Sequence, residues 1–241
     1  MTGTAFGIGV GPGAPDLLTL RAVRLLQEAP VIAYPAPEGG ASLARAIAAS
    51  HIPEGRDEIV IETPMVPGEF PAHAVYDRYA AVIAKHLEAG RDVAILCEGD
   101  PFLYGSFMYL FARLADDHKV EVVPGVSSLG ACAAVAGAPL VSRNEVLTVL
   151  PAPVSDARIV AALETSDALA IMKVGRHLDR VRGHIEAAGR LKDAWYIERA
   201  TMETQRVFPL AATDDDVDKA PYFSMILIRT PSEAPLDGGD A

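Results

Sequence analysis

Three glycine-containing turns in the first half of the chain combine residue types that suit a small-ligand site. Residues 9–13 read GVGPG, residues 98–101 read EGDP, and residues 123–128 read VPGVSS. Glycine lets a ligand approach the backbone closely because it has no Cβ. The carboxylates and hydroxyls of the second and third turns can form hydrogen bonds. The three turns together therefore indicate a binding site, provided that the fold brings them to the same place.

The first turn formally matches a dinucleotide-binding fingerprint, Gly9-x-Gly11-x-x-Ala14, but that pattern alone is weak. The fingerprint requires glycines that open directly into a helix, whose N-terminus takes the pyrophosphate. Here Pro12 and Pro15 each remove a backbone donor, and the helical pattern starts only near residue 19. We therefore expect close backbone approach to an uncharged or zwitterionic ligand, with a purely structural tight turn as the alternative.

The second turn has the features of a helix start. Asp100 can cap a helix and Pro101 suits its first position, so the sequence predicts a helix directly after Pro101. Capping accounts for these two residues. It does not account for Glu98, an acid at the end of an apolar run, or for the crowded side chains of residues 102–104 (FLY). A ligand contact and a simple helix cap both remain open for this turn.

The third turn ends in two serines, Ser127 and Ser128, either of which can cap the next helix. That helix, residues 128–136, consists mainly of small side chains (SLGACAAVA). Small side chains allow either close helix packing or close approach of a ligand, and the sequence favours neither.

Alternating strand and helix patterns surround these turns. The predicted strands are residues 5–10, 31–34, 58–62, 93–97 and 120–123, and the predicted helices are residues 20–28, 42–50, 74–87, the stretch after Pro101, and 128–136. Nearly continuous apolar strands between helices predict a parallel sheet covered on both faces. Ligands bind such sheets at the carboxyl edge of the strands. All three turns follow strands, and we expect them at that edge.

The second half has a different pattern, and GAP at residues 137–139 marks the change. We predict an N-terminal α/β domain over residues 1–141 and a C-terminal α/β domain over residues 142–230. Its predicted strands are residues 146–150, 168–173, 195–198, 205–210 and 223–229, with helices at 156–163 and 177–188. The last strands have no helix between them, which predicts a mixed sheet. Residues 231–241 are rich in Pro, Gly and acids and are expected to be a disordered tail.

Composition limits the functional classes. The net charge is −11, which argues against non-specific nucleic-acid binding. Cys97 and Cys132 are expected to be buried thiols. The six histidines form no pair at ligand spacing, so we expect no metal. The sequence has no signal-peptide pattern and no apolar run long enough for a membrane span, so we expect a cytoplasmic protein without membrane partners.

With these turns, the sequence resembles the tetrapyrrole (cobalamin and sirohaem) methyltransferases of the class III, S-adenosylmethionine-dependent type. The residues that carry the resemblance are 9–13 (GVGPG) with 16–19 (DLLT), 99–101 (GDP) with Tyr104, and 123–128 (VPGVSS). Within the family the chain is most similar to the precorrin-2 C20-methyltransferases, through residues 104–110 (YGSFMYL), 150–152 (LPA), 172–176 (MKVGR) and 198–201 (ERAT). It departs from that subfamily at Gly105, where Ser is commoner, and at residues 97–98, where less polar residues are usual.

The resemblance implies two α/β domains, an N-terminal parallel sheet with helices on both faces and a C-terminal mixed sheet, with S-adenosylmethionine folded in a cleft between them. It also implies a homodimer. The family's cofactor contacts map onto Pro12, Gly13, Gly99, Asp100, Leu103, Tyr104, Ser127, Ser128, Met172, Lys173, Val174, Ala200 and Thr201.

The implied reaction is methyl transfer to C20 of precorrin-2, or of its cobalt form, giving a precorrin-3A-type product and S-adenosylhomocysteine in cobalamin biosynthesis. Glu98, and after it Glu203, are candidates for accepting the proton that leaves C20. Candidates for binding the carboxylates of this anionic substrate are Arg21, Arg143, Arg176 and Arg199, with Lys173 and Arg206 as further cations. Two alternatives remain open, namely methylation at another position, such as uroporphyrinogen III C2/C7, and a non-catalytic nucleotide-binding module.

Overall fold

The computed structural model describes residues 2–63, 73–212 and 220–229. The chain divides into two compact units, Met1–Ser128 and Leu129–Ala241. The tail predicted for residues 231–241 lies outside the described residues. Within the described part of the chain, no helix combines the length and apolar character needed to cross a bilayer.

The first unit alternates strands and helices. Its strands are β1 (Thr4–Gly9), β2 (Val31–Pro37), β3 (Asp57–Thr63), β4 (Val93–Cys97) and β5 (Lys119–Val123). Its helices are α1 (Leu20–Glu28), α2 (Leu43–Ala48), α3 (His73–Glu88) and α4 (Phe107–Leu114). The strand order is β3-β2-β4-β1-β5, and every neighbouring pair is parallel. The predicted parallel sheet is confirmed.

Helices cover both faces of this sheet because alternate strand residues point to opposite sides. Ile8 packs with Leu26 and other residues of α1 and α2 in one apolar cluster. Ile95 packs with Ile83 of α3 and Leu110 of α4 in the cluster on the other face. Burying an aliphatic side chain of this size stabilises a fold by about 1.5–3 kcal/mol, so both clusters hold the strand ends in place.

Helix α4 corrects the prediction made for residues 101–104. The helix begins at Phe107 and not directly after Pro101. Tyr104 has a φ angle of 56°, which lies in the left-handed region and cannot continue a right-handed helix. The segment after Pro101 is therefore an extended turn that precedes the helix, and Pro101 is not its first residue.

The second unit begins with α5 (Ser128–Ala136), whose first residue closes the first unit, and continues with β6 (Leu147–Pro151), α6 (Asp156–Thr165), β7 (Ala168–Met172), α7 (Leu178–Ala187), β8 (Ala194–Glu198), β9 (Arg206–Pro209) and β10 (Ser224–Arg229). The strand order is β6-β7-β10-β8-β9. Strands β6 and β7 are parallel, and the other neighbours are antiparallel. The predicted mixed sheet is confirmed.

Helix α5 explains why the unit boundary differs from the predicted boundary at residue 141. Cys132 of α5 lies in an apolar cluster with Ala170, Ile197 and Met225 of the second sheet. The helix therefore groups with the strands that follow it, and the division falls between Ser128 and Leu129.

Candidate functional site

The three glycine-containing turns follow neighbouring strands. Strand β1 lies between β4 and β5, and all three are parallel, so their carboxyl ends share one edge. The first two turns are directly hydrogen-bonded. Gly11 N–H donates to Gly99 O at 3.3 Å, and Gly99 N–H donates to Gly11 O at 2.8 Å. The first and second turns thus form one backbone unit.

Asp100 connects this unit to the third turn. Its Oδ2 accepts from the backbone N–H of Gly125 at 3.1 Å, and its Oδ1 accepts from the N–H of Phe102 at 2.9 Å. The helix-cap interpretation of Asp100 is therefore wrong, because α4 begins seven residues later. Asp100 instead uses both carboxylate oxygens to hold the backbone of two turns.

The glycines at the junction are required by close backbone contact. A Cβ on Gly125 would lie 2.1 Å from Gly99 O, and a Cβ on Gly9 would lie 2.6 Å from the Cα of Gly125. Any side chain at Gly9 or Gly125 would push the turns apart. These glycines therefore have a structural role in bringing the turns together.

Gly99 differs from them because, among the residues that the structure describes, none other than its chain neighbours comes within 4 Å of its Cβ position. Its φ angle of 65° favours glycine, and Tyr104 is also left-handed. Phe102 and Tyr104, 49% and 38% exposed, lie in the same turn. The open space at Gly99 permits a ligand to reach the backbone, and exposed aromatic faces suit planar or cationic groups.

The other predicted residues of the first unit lie in these turns as well. Pro12 and Gly13 belong to the bend after β1, and Ser127 and Ser128 end the third turn. The N–H of Leu103 donates to Asp100 O at 3.3 Å. The structure thus brings the sequence-predicted contacts of the first unit to one edge.

Glu98 is held at the end of β4 in a largely desolvated environment. Burial raises the pKa of its carboxyl above the ordinary glutamate value, while hydrogen bonds from its own backbone N–H and from that of Ala44 oppose the rise. Ala44 lies in the first turn of α2. This environment stabilises the protonated form of Glu98 more than an exposed site would.

Cys97 and Gly105 pack against each other beside the second turn. Burial raises the pKa of the Cys97 thiol to about 11, against the effect of hydrogen bonds from the backbone of Phe107 and Ser106 at the start of α4. A Cβ on Gly105 would lie 2.8 Å from Cys97 Sγ and 2.6 Å from Pro101 O. A side chain at residue 105 would therefore collide with Cys97 and with the backbone of the turn. The contact between these two residues could not be predicted from the sequence.

In the second unit, predicted site residues meet at another sheet edge. Met172 ends β7 and pairs with Met225, and Glu198 ends β8 and pairs with Ser224. Strand β10 lies between β7 and β8. The two loops that follow β7 and β8 therefore emerge side by side, and they contain Lys173, Val174, Ala200 and Thr201.

These loops have unusual backbone geometry. Lys173, Arg199 and Thr201 have φ angles of 56°, 48° and 69°. Left-handed non-glycine residues are uncommon and concentrate at functional sites. Such geometry persists only where surrounding contacts hold it.

Ser224 supplies several of those contacts and was not identified from the sequence. Its Oγ donates to Pro221 O at 2.6 Å and accepts from the N–H of Gly175 at 3.2 Å. Val174 N–H donates to Ser224 O at 3.4 Å, and Arg199 N–H donates to Phe223 O at 3.1 Å. A serine at the start of a strand gives no sequence signal that distinguishes this role from an ordinary surface position.

The charged residues predicted to bind the substrate or accept its proton lie at different places in the two units. In the first unit, Arg21 forms an ion pair with Glu121 at 2.7 Å. In the second, Arg143 and Arg176 are exposed, the latter in a 3₁₀ turn after β7. Arg199 lies in the loop after β8, and Glu203 is exposed in the turn that follows it.

Solved structures resemble this fold over nearly its whole length. A cobalt precorrin-4 methyltransferase matches with a TM-score of 0.73 and 23% identity, covering 94% of each chain. A uroporphyrin-III C-methyltransferase from Thermus thermophilus, complexed with S-adenosylhomocysteine, matches with a TM-score of 0.70 and 22% identity, covering 94% of this chain and 97% of the other. At these identities the comparison establishes the fold alone, which is the arrangement of two α/β units described above.

Sequence comparison is more specific. The model of the tetrapyrrole (corrin/porphyrin) methylases matches residues 5–214. The chain is 40% identical to a precorrin-2 C(20)-methyltransferase from Sinorhizobium sp, over 94% of this chain and 95% of that protein. It is 33% identical to a cobalt-precorrin-2 C(20)-methyltransferase from Salmonella typhimurium, over 95% and 97%. It is also 41% identical to the cobalamin biosynthesis protein CobIJ of Mycobacterium tuberculosis, of which it spans 46%.

The chain therefore belongs to the tetrapyrrole methylase family and is a methyltransferase.

Proposed function

We propose that the protein transfers a methyl group from S-adenosylmethionine to C20 of precorrin-2, or of its cobalt form, in cobalamin biosynthesis. The observation that carries this proposal is 40% identity to a precorrin-2 C(20)-methyltransferase over almost the full length of both chains. The relative named for the cobalt-containing substrate supports the same carbon position. We further propose that the protein is cytoplasmic and forms a homodimer. Light scattering on the purified protein tests the dimer.

The residues present fit S-adenosylmethionine. The open Cβ position at Gly99 leaves room for a ligand beside the backbone. The exposed rings of Phe102 and Tyr104 suit a planar adenine or a cationic sulfonium. No basic phosphate cradle is needed, and Pro12 removes a donor from the first turn.

We assign cofactor contacts in the first unit to the turn residues Pro12, Gly13, Gly99, Asp100, Leu103, Tyr104, Ser127 and Ser128. In the second unit we assign them to Met172, Lys173, Val174, Ala200 and Thr201. The left-handed backbone at Lys173 and Thr201 supports this assignment, because it directs backbone groups away from the regular sheet pattern.

The cofactor supplies the methyl group as an electrophile, and S-adenosylhomocysteine is the product. The protein's main contribution is orientation, which can be worth about 7–11 kcal/mol of the barrier. When C20 forms its bond to the methyl carbon, the methyl–sulfur bond breaks and the C20 proton must then leave. We propose Glu98 as the acceptor of that proton, because its raised pKa brings the carboxylate closer to the basicity that proton transfer near neutral pH needs. Glu203 is the second candidate.

The substrate is an anionic tetrapyrrole, so its binding requires local positive charge on a chain of net charge −11. We propose that arginines supply it, because the guanidinium group binds carboxylates in a bidentate manner. The candidates are Arg21, Arg143, Arg176 and Arg199.

Incubation with methyl-labelled S-adenosylmethionine and enzymatically generated precorrin-2 tests the function. Label on C20 of the product is the expected result. Label on pyrrole β-carbons after incubation with uroporphyrinogen III would replace the proposed position with another in the same family. Cofactor binding without transfer to either substrate would overturn the proposed enzymatic function.

A further inference from the structure

We propose that five residues of the second unit, Lys173, Arg199, Arg206, Tyr222 and Phe223, form the docking surface for the planar, polyanionic substrate ring. We call this group the Tyr222 patch. The proposal rests on the proposed function and deepens it, because it assigns the face of the ring and its carboxylates to particular side chains.

The patch presents two large aromatic rings to solvent. Tyr222 is 51% exposed and Phe223 is 46% exposed. Their ring centroids are 5.2 Å apart and their planes are nearly perpendicular at 82°. Adjacent exposed aromatics of this size are unfavourable in water and mark interaction sites. An aromatic ring can pack flat against a conjugated macrocycle or meet it edge-on.

One cation lies beside these rings, and two arginines lie on the neighbouring strand ends, Arg199 directly after β8 and Arg206 at the start of β9. Lys173 Nζ lies 5.5 Å from the centre of the Tyr222 ring. The guanidinium groups of Arg199 and Arg206 approach Glu198 Oε1 at 3.9 and 3.7 Å. One carboxylate thus offsets two guanidinium groups, and Lys173 adds a third positive charge. Among the residues that the structure describes at this edge, these three cations outnumber the two acids, Glu198 and exposed Glu203.

Glu198 positions the two guanidinium groups. Its side chain is only 4% exposed, and its Oε2 accepts from the Tyr196 hydroxyl at 2.8 Å. Burial and the adjacent carboxylate raise the pKa of Tyr196, which keeps its hydroxyl a donor. A fixed, buried carboxylate between two half-exposed arginines leaves each guanidinium with N–H groups directed elsewhere.

The backbone makes the arrangement rigid. Lys173 and Arg199 have left-handed φ angles, and Arg199 N–H donates to Phe223 O at 3.1 Å. Preorganised side chains lose less conformational entropy on binding than mobile ones do. Exposed aromatic rings with cations nearby are complementary to a conjugated ring whose periphery carries carboxylates. A second copy of this acidic chain is less complementary to it.

The test uses uroporphyrin III, an air-stable polycarboxylate porphyrin, as the binding probe. We would titrate the full-length protein with it and follow porphyrin fluorescence. The variants are the double substitution Tyr222→Ala/Phe223→Ala, and Lys173→Gln and Arg206→Gln singly. Arg78→Gln is the matched control, because Arg78 lies over the Tyr79 ring at 5.4 Å in the first unit and is not part of the patch.

The aromatic double variant is expected to weaken porphyrin binding about tenfold. Each cation variant is expected to weaken it about threefold or more and to reduce its dependence on ionic strength. Arg78→Gln should remain within about twofold of the unmodified protein. S-adenosylmethionine affinity, measured by calorimetry in the aromatic variant, should also remain within about twofold, which excludes general unfolding as the cause.

Unchanged porphyrin affinity in the aromatic and cation variants would overturn the proposal. Loss of dimerisation in the aromatic variant, with unchanged porphyrin affinity, would assign the surface to a second copy of the chain and also overturn it. Methyl transfer to precorrin-2 is scored separately. If the unmodified protein transfers the methyl group but the patch variants bind porphyrin normally, only the Tyr222 patch is refuted. If the patch variants bind porphyrin more weakly but the unmodified protein transfers no methyl group, only the proposed reaction is refuted.

Discussion

The two units hold their strand-end loops by different means. In the first unit, the turns are held by backbone contacts that only glycine permits, with a Cβ on Gly125 falling 2.1 Å from Gly99 O. In the second unit, the Ser224 hydroxyl joins Gly175 and Pro221, and backbone hydrogen bonds from Val174 and Arg199 add to this contact. There the left-handed positions are taken by Lys173, Arg199 and Thr201.

This difference predicts different tolerance to substitution. A backbone junction fails when a methyl group is added, because the interior is close-packed and the colliding atoms are main-chain atoms. A side-chain network fails when a polar partner is removed, because buried donors and acceptors are left unpaired. The predictions below test these two responses, in order of decreasing expected effect.

The largest effect is expected for Gly125→Ala. The added Cβ cannot be accommodated without separating the second and third turns, so we expect a loss of about 3 kcal/mol in the free energy of unfolding, together with loss of measurable S-adenosylmethionine binding. Urea denaturation and calorimetry measure the two quantities.

The matched control is Gly183→Ala. Gly183 lies within α7, and no described residue outside the local helix backbone comes within 4 Å of its Cβ position. Alanine there should stabilise the protein by about 0.5–1 kcal/mol. If Gly125→Ala behaved like this control, the close junction of the turns would be refuted.

Asp100→Ala is expected to have the second largest effect. It leaves the N–H groups of Gly125 and Phe102 without their carboxylate acceptor, at about 1–3 kcal/mol of stability. We also expect S-adenosylmethionine affinity to fall more than tenfold, because two turns lose their connection. Asp100→Asn retains one carbonyl oxygen, so its stability and cofactor affinity should lie between those of the unmodified protein and those of Asp100→Ala. Loss of stability with unchanged cofactor affinity would limit Asp100 to a structural role.

Much of the first region could be predicted from the sequence. Apolar runs and glycine turns placed β1, β4 and β5 and their turns at one edge, because those patterns follow from local chemistry. The helix start was not predictable in the same way. Asp100-Pro101 has the local features of a helix start, yet Tyr104 is left-handed and Asp100 is used by Gly125, which lies 25 residues away. Such a long-range contact has no local signature.

Less of the second region could be predicted. The family resemblance marked residues 172–174 and 200–201, and the strands were recognisable by their apolar pattern. Ser224, Tyr222 and Phe223 were not recognised as part of this edge. Their position depends on β10 pairing between β7 and β8, and that pairing order is set by tertiary packing.

Ser224→Ala tests the side-chain network of the second unit. It removes the acceptor of the Gly175 N–H and the donor to Pro221 O, so we expect a loss of about 1–2 kcal/mol of stability. Thr165→Ala is the control, because Thr165 is exposed and its hydroxyl donates only to Ala161 O within its own helix. It should change stability by less than about 0.5 kcal/mol. Equal effects of the two substitutions would contradict a special role for Ser224.

The smallest effect on stability is expected at Glu98, and it should depend on pH. Glu98 directly follows β4. Burial raises the pKa of its carboxyl above the ordinary glutamate value of 4.5. A raised carboxyl pKa means that the folded state holds its proton more tightly than the unfolded state does. The resulting stabilisation is fully present below about pH 4.5 and is lost as the pH rises through the folded-state pKa. Glu98→Gln removes this loss, so the variant should gain stability relative to the unmodified protein as the pH is raised, in denaturation series from acid to neutral pH. Glu203→Gln, which removes an exposed carboxyl, is the control for this stability measurement.

In the proposed reaction the ionised form of Glu98 is the active one, so methyl transfer should increase with pH over the same range and be strongly reduced in Glu98→Gln. A stability gain with unchanged transfer would assign the proton to another acceptor and leave Glu98 as a buried structural residue of the first unit.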